Sequence, residues 1–183
     1  MNLTGKIIVS MPSLQDERFF KTVIYMCAHS SEGSMGIIIN KKIDYDLYPD
    51  LLEQLGIDKP LDNKKLFIRY GGPIESGRGF VLHSDDILRQ ETLNIDKGVA
   101  LTSTSEFFDD LAKGKGPKNS ILALGYAGWG PGQLENEIIQ NSWISLSVDT
   151  SFLFDEEVSH KWSQAYKIMG VDPNNLSSKS GRA

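Results

Sequence analysis

The sequence predicts an α+β fold: a mostly antiparallel, curled, barrel-like sheet of about eight strands with flanking helices. Short apolar runs recur along the chain, bounded by Gly, Pro, Asn and Ser. Helical patterns are interspersed among these runs. Strands adjacent in sequence usually pair, which favours hairpins over crossovers for the first six; only Ile121–Val148 has room for a parallel crossover.

Taken in order, Lys6–Ser10 and Thr22–Cys27 are apolar runs, and Gly36–Asn40 is a third. The stretch His29-Ser-Ser-Glu-Gly33-Ser34 before it has the composition of a hairpin turn. Leu47, Leu51, Leu52 and Leu55 recur at helical spacing and stop at Gly56, predicting a helix over Tyr48–Leu55. Leu66–Tyr70 and Gly79–His83 flank Gly71-Gly72-Pro73 and read as a second hairpin with a longer loop. Val99–Thr102 is a strand, after which Ser103 or Thr104 caps a helix carrying Phe107, Phe108 and Leu111. The run from Ile121 leads through glycines to a short helix over Pro131–Gln140. Ile144, Leu146 and Val148 then alternate with Ser145, Ser147 and Asp149, a strand with one wet face. Val158, Trp162, Ala165 and Met169 mark an amphipathic last helix that Gly170 ends. Residues 1–170 read as one globular domain and 171–183 as a polar tail.

Composition narrows the function. A net charge of −5 supplies no global positive field to draw DNA phosphates, so direct DNA binding is not expected. No window approaches 18 consecutive apolar residues and the N-terminus lacks a signal-peptide pattern, so no membrane association is expected. One cysteine cannot form an internal disulfide, which suits a reducing cytoplasm.

The strand–glycine loop–helix stretch raises the question of a nucleotide. A dinucleotide site needs Gly-x-Gly-x-x-Gly and a carboxylate about 20 residues on. Here the order is Gly125-x-x-Gly128-x-Gly130-x-Gly132, with Asp149 at a plausible distance. Trp129 puts a ring where backbone should approach a pyrophosphate, and Pro131 removes an amide donor. The fingerprint fails, and the expectation is a tight turn at Gly128 and Gly130 with Pro131 opening the helix. No cofactor is expected.

The same stretch, with many others in one order, resembles the YqgE/AlgH (UPF0301) family. Its motifs include Gly5-Lys-Ile-Ile-Val-Ser-Met-Pro12, Gly33-Ser-Met-Gly36, Gly71-Gly72-Pro73 and Arg78-Gly-Phe-Val-Leu-His83-Ser84. They continue through Leu124-Gly-Tyr-Ala-Gly128-Trp-Gly130, Gly132-Gln-Leu-Glu135 and Asn141-Ser-Trp143. Two departures stand out: Ala28 where relatives often carry Glu, and Gly181-Arg182-Ala183 where Gly-His-Ala is usual. The resemblance implies a transcriptional regulator without an established molecular activity.

Reactive side chains are few. Cys27 and His29 are two apart in a strand, so they are expected to share a face. A thiol near an imidazole can become nucleophilic, though a Cys after Val23-Ile-Tyr-Met is also a natural buried hydrophobe. His83 would join them if the two hairpins adjoin, giving a candidate ligand or redox centre of Cys27, His29 and His83; no close-spaced ligand pair supports a metal there. A candidate binding cleft comprises Gly71, Gly72, Pro73, Arg78, Tyr126, Gly128 and Trp129, where glycines admit close backbone approach to a ligand or serve only as turns. There is no Gly-x-Ser-x-Gly elbow, and the lysines of 113–118 lack phosphate-loop spacing. The expected function is that of a cytoplasmic, non-enzymatic regulatory or adaptor protein acting indirectly through a protein partner. The alternative is a small-molecule or thiol redox-sensing module at the Cys27/His29/His83 centre and the glycine loops.

Overall fold

The computed structural model describes residues 2–43, 53, 55 and 68–176. Among the described residues, nine strands form one sheet, which does not close on itself. They are β1 (Ile7–Ser10), β2 (Val23–Ser30), β3 (Gly33–Ile38), β4 (Ile68–Tyr70), β5 (Ile74–His83), β6 (Leu93–Asp96), β7 (Val99–Thr102), β8 (Ser120–Trp129) and β9 (Trp143–Leu146). The spatial order is β6-β7-β5-β8-β3-β2-β1-β9, with β4 also against β8. All pairings are antiparallel except β4 with β8. Among the described residues, four α-helices accompany the sheet: α1 (Ser105–Ala112), α2 (Gln133–Ile139), α3 (Thr150–Phe154) and α4 (Lys161–Ile168).

The central strands read as unbroken apolar runs because both of their faces are buried. Val23, Tyr25 and Cys27 enter one core with Trp162, Ala165 and Tyr166 of α4. Ile24 and Met26 enter a second with Leu3, Trp143 and Leu134 of α2. A third cluster places Phe107 and Phe108 of α1 over Val81, Leu122 and Leu124. Each such Val, Leu or Ile contributes roughly 1.5–3 kcal/mol by leaving water. Helix α4 is fixed at one carbonyl: Trp162 Nε1 and Tyr166 Oη both donate to Ser10 O, at 2.9 and 3.1 Å.

The β2–β3 hairpin forms as the sequence indicates, turning at Ser31 and Glu32. The second expected hairpin does not form, because β4 and β5 lie on opposite sides of β8. The chain after β3 pairs with β4: Ile38 N donates to Gly71 O, Tyr70 N to Lys41 O, and Ile43 N to Ile68 O. Gly71 N then donates to Leu124 O of β8 at 2.7 Å. To reach β5 the backbone must pass across β8 at Gly125 and Tyr126. The passage is backbone on backbone: a Cβ on Gly71 would overlap Gly125 O, and one on Gly72 would overlap the Tyr126 carbonyl. Gly125, at φ 69, kinks β8 beneath it, in a region that L side chains avoid.

The crossover expected within Ile121–Val148 exists but is long. Four antiparallel steps separate β8 from β9, so the two run the same way with three strands between them. Two elements were not legible in the sequence. Strand β6 is short and largely exposed, and α3 is one turn started by the Asp149 carboxylate, which accepts from Phe152 N at 2.9 Å. The expected helix over Tyr48–Leu55, apart from residues 53 and 55, and the tail beyond 176 lie outside the described residues. Among the described residues, no helix is long and apolar enough to cross a membrane.

Two cations are buried near α4. Arg69 donates to the carbonyls of Ile39 and Asp155, and fully buried Lys161 donates to that of Phe152. Burial, then the Arg69 charge, push the Lys161 ammonium down to about 8 from 10.5. Because the folded state resists protonation, this group costs stability fully below pH 8 and ceases to do so as pH rises through 10.5. Lys161→Met is therefore expected to gain on the order of 1–2 kcal/mol at pH 7, the carbonyl of Phe152 losing its donor in exchange. Urea unfolding at pH 7 and at pH 10.5 checks this, the gain shrinking at the higher pH. For the crossing, Gly72→Ala is expected to lose on the order of 3–5 kcal/mol, since backbone has to move on both sides. Gly77→Ala is the matched control, because a Cβ there meets nothing within 4 Å.

Candidate functional site

Site geometry begins with a bulge. Strand β2 pairs Met26 with Gly36 and Ala28 with Met35 of β3, leaving Cys27 as the extra residue. Two residues then oppose one, and alternation shifts by one position. Cys27 stays in the core shared with α4, Ala28 is exposed, and His29 turns to the other face. There its Nδ1 accepts from Leu3 N at 3.4 Å, and its Nε2 lies 3.0 Å from Glu135 Oε1 of α2. That separation is short enough for an ion pair, yet the ring N–H is out of line for a hydrogen bond. Since Nδ1 accepts, a neutral His29 carries its proton on Nε2. Cys27 and His29 do not share a face, and the bulge is the reason.

Burial pushes the Cys27 thiol up to about 12, leaving about one thiolate in ten thousand at pH 8. His83 is equally committed. Its Nδ1 donates to Ser84 O at 2.8 Å, and its Nε2 accepts from Thr102 Oγ1 at 2.9 Å, a tautomer assigned from the partners. Thr92 and the amide of Arg89 extend this chain, and the imidazole lies on the Phe107 ring at 4.6 Å. Burial lowers the His83 pKa, favouring the neutral ring. His29 and His83 sit at opposite ends of β8: His83 pairs with Ser120, and His29 pairs with Ser34, which pairs with Trp129. Nine strand residues span roughly 30 Å, so the structure does not bring the two imidazoles together. Among the described residues, no group of three or more His, Cys, Asp and Glu is placed to hold a metal ion.

The cleft residues divide. Gly71 and Gly72 form the crossing, and Pro73 follows it into β5. Arg78 lies in an exposed four-residue excursion between Ile74 and Gly79, bonded to Glu75 and Ser103 and stacked on Phe80. Tyr126, Gly128 and Trp129 line an open groove of about 500 Å³ on the upper part of the sheet. Its floor is one row across three strands, Ala28–Met35–Gly128, fixed by pairing. Ile74 and Tyr126 form a wall, and a Cβ on Gly128 would stand 2.7 Å from Ile74 Cδ1. Among the described residues, Glu32 is the one acidic or basic side chain lining it. Ala28, Glu32, Met35 and Ile74 were missed in the sequence, because only strand register aligns them.

Helix α2 holds this end of β8 rigid. The turn lies at Gly130–Gly132 rather than at Gly128, which remains in the strand, and the helix begins at Gln133 after Gly132 at φ 70. Gln133 Oε1 accepts from Gly130 N, and Gln133 Nε2 donates to Glu137 Oε1 at 2.8 Å. Glu137 Oε2 accepts from both buried indoles, Trp129 at 2.9 Å and Trp143 at 2.7 Å. Trp129, Gly130, Gln133 and Trp143 are thus joined with Glu137 in one hydrogen-bonded staple. Asp149, the candidate ribose ligand, is instead the α3 cap. For Cys27 the expected outcome is inertness: a maleimide should label it only at the rate of global unfolding, measured by mass shift in rising urea.

Comparison with known proteins agrees with this architecture. Residues 7–174 match the family described as AlgH-like. A UPF0301 protein of Nitrobacter hamburgensis is 48% identical, covering 99% of this chain and 88% of the relative. One from Rhodospirillum rubrum is 44% identical, covering 99% and 94%. The solution structure of the AlgH protein of Pseudomonas aeruginosa superposes with a TM-score of 0.78 at 34% identity, covering 100% of this chain and 97% of that one. A Corynebacterium diphtheriae protein shares the fold at a TM-score of 0.70 and 19% identity, covering 92% and 87%. The chain belongs to the AlgH-like, UPF0301 family.

Proposed function

We propose that this protein works by binding rather than by turnover, as a cytoplasmic regulatory adaptor that acts through a protein partner. The observation that carries this reading is the pre-shaped groove over Ala28, Met35 and Gly128, exposed at one end of the sheet and braced by the Glu137 staple. Rigid apolar floors with a polar margin suit association, because little ordering is needed when a partner arrives.

The reactive side chains support it from the other direction. Cys27 is buried, His83 is locked between Ser84 and Thr102, Asp149 caps a helix, and Glu137 serves two indoles. Each is used by the fold. Any effect on transcription, which the family resemblance implies, then passes through the partner, in keeping with a net charge of −5.

Native mass spectrometry of the protein purified gently from its own cells tests this. The expected result is a stoichiometric protein partner and no added small mass, with no mobility shift of DNA at physiological salt. A bound small molecule without a partner, or a salt-resistant DNA shift, would overturn the reading.

A further inference from the structure

We propose that the groove receives an extended segment of the partner, added as a strand beside Ala127–Trp129 of β8, with an apolar side chain between Met35 and Ile74 and a Lys or Arg at Glu32. This rests on the partner-binding reading and specifies its chemistry.

The pairing pattern supplies the edge. β8 is flanked on one side by β3 as far as Trp129. On the other side β5 stops at Ile74, opposite Tyr126. Among the described residues no strand pairs with Ala127, Gly128 or Trp129 on that side. The Ile38 N to Gly71 O bond sets the alternation along β3, so Ala127 and Trp129 turn their main-chain groups to Gly36 and Ser34. Gly128 is the residue whose N–H and C=O face the side left unpaired among the described residues, where an extended peptide can add main-chain hydrogen bonds. Lower in β8, Leu122–Leu124 are paired on both sides, by β4 and by β5.

The floor fits backbone rather than a bulky ligand. Met35 stands between Ala28 and Gly128 in its row, so its unbranched thioether has small neighbours and can adapt to an incoming side chain. Ile74 is 38% exposed at the end of this open edge, an apolar surface that an added strand would cover. The wall is uncharged, and among the described residues Glu32 at the hairpin turn is the only acidic or basic side chain lining the groove. In a chain of net charge −5 it favours a cationic residue in the occupant and disfavours an acidic one.

Selecting 12-residue peptides from a displayed random library on the full chain tests the site directly. The expected winners alternate apolar residues with Lys or Arg; they shift the amides of Ala127–Trp129 in NMR spectra and slow the exchange of the Gly128 amide. Met35→Glu should weaken such a peptide about tenfold or more, and Glu32→Lys should exchange the preference for basic residues with one for acidic residues. Glu32 is exposed and Met35 is half-buried against the core shared with α4, so an unchanged melting temperature is required of each variant to show that it is folded. Winners without basic residues, peptides whose shifts map elsewhere, or no enrichment at all overturn the strand-addition site. The same variants separate the two proposals in the cell: a native partner that both variants retain removes this site while leaving the adaptor reading intact. If wild type carries no partner, the adaptor reading fails, and the peptide selection still decides whether the edge accepts a strand.

Discussion

The passage of the chain across β8 at Gly71 and Gly72 is the constraint on which the rest of the fold depends. It lets two strands consecutive in sequence, β4 and β5, occupy opposite sides of a third that is made later. It also fills the gap where β3 and β8 part after Gly36, since Gly71 bonds to Ile38 on one side and Leu124 on the other. Backbone can approach backbone this closely only where no Cβ intervenes. The kink at Gly125 on the receiving strand answers the two glycines above it.

That arrangement positions the groove. β5 joins β8 only from Ile74, because the residues before it are spent on the crossing. Among the described residues the upper end of β8 is consequently unpaired on one side, and the Cys27 bulge turns Ala28 toward the floor beside it. Two departures from regular pairing, a crossing and a bulge, together shape one surface. The staple through Gln133 and Glu137 then prevents this end from fraying, by giving two indoles and a loop amide a common anchor.

The fold class, the first hairpin, the strands Val99–Thr102 and Ile121–Leu124, and the helix carrying Phe107 were legible because local periodicity encodes them. The course of Gly71–Pro73 was not, since a turn and a crossing use the same residues; the difference lies in a strand fifty residues later. Cys27 and His29 were assigned a common face by counting in twos, and a bulge breaks that count without leaving a mark in composition. Tyr126, Gly128 and Trp129 were visible as a cluster, whereas Met35 and Ile74 join them only through register. The carboxylate at Glu137 was visible as a residue, but its role needs the two indoles to meet in space.

The position of β8 also sets an order of assembly. β6, β7 and β5 lie to one side of it, β3, β2, β1 and β9 to the other, and among the described residues every pairing path between the groups runs through β8 or through β4 against it. A chain emerging from the ribosome at about 5–20 residues per second therefore carries two separate half-sheets until residue 120 and beyond appear. During that interval the flanks of β5 and β3 that β8 will cover stay open, and the latecomer must insert between them beneath a connection already laid. Long-range closure of this kind is slow relative to hairpin formation, so the nascent chain, more than the finished protein, is the form that needs protection from aggregation.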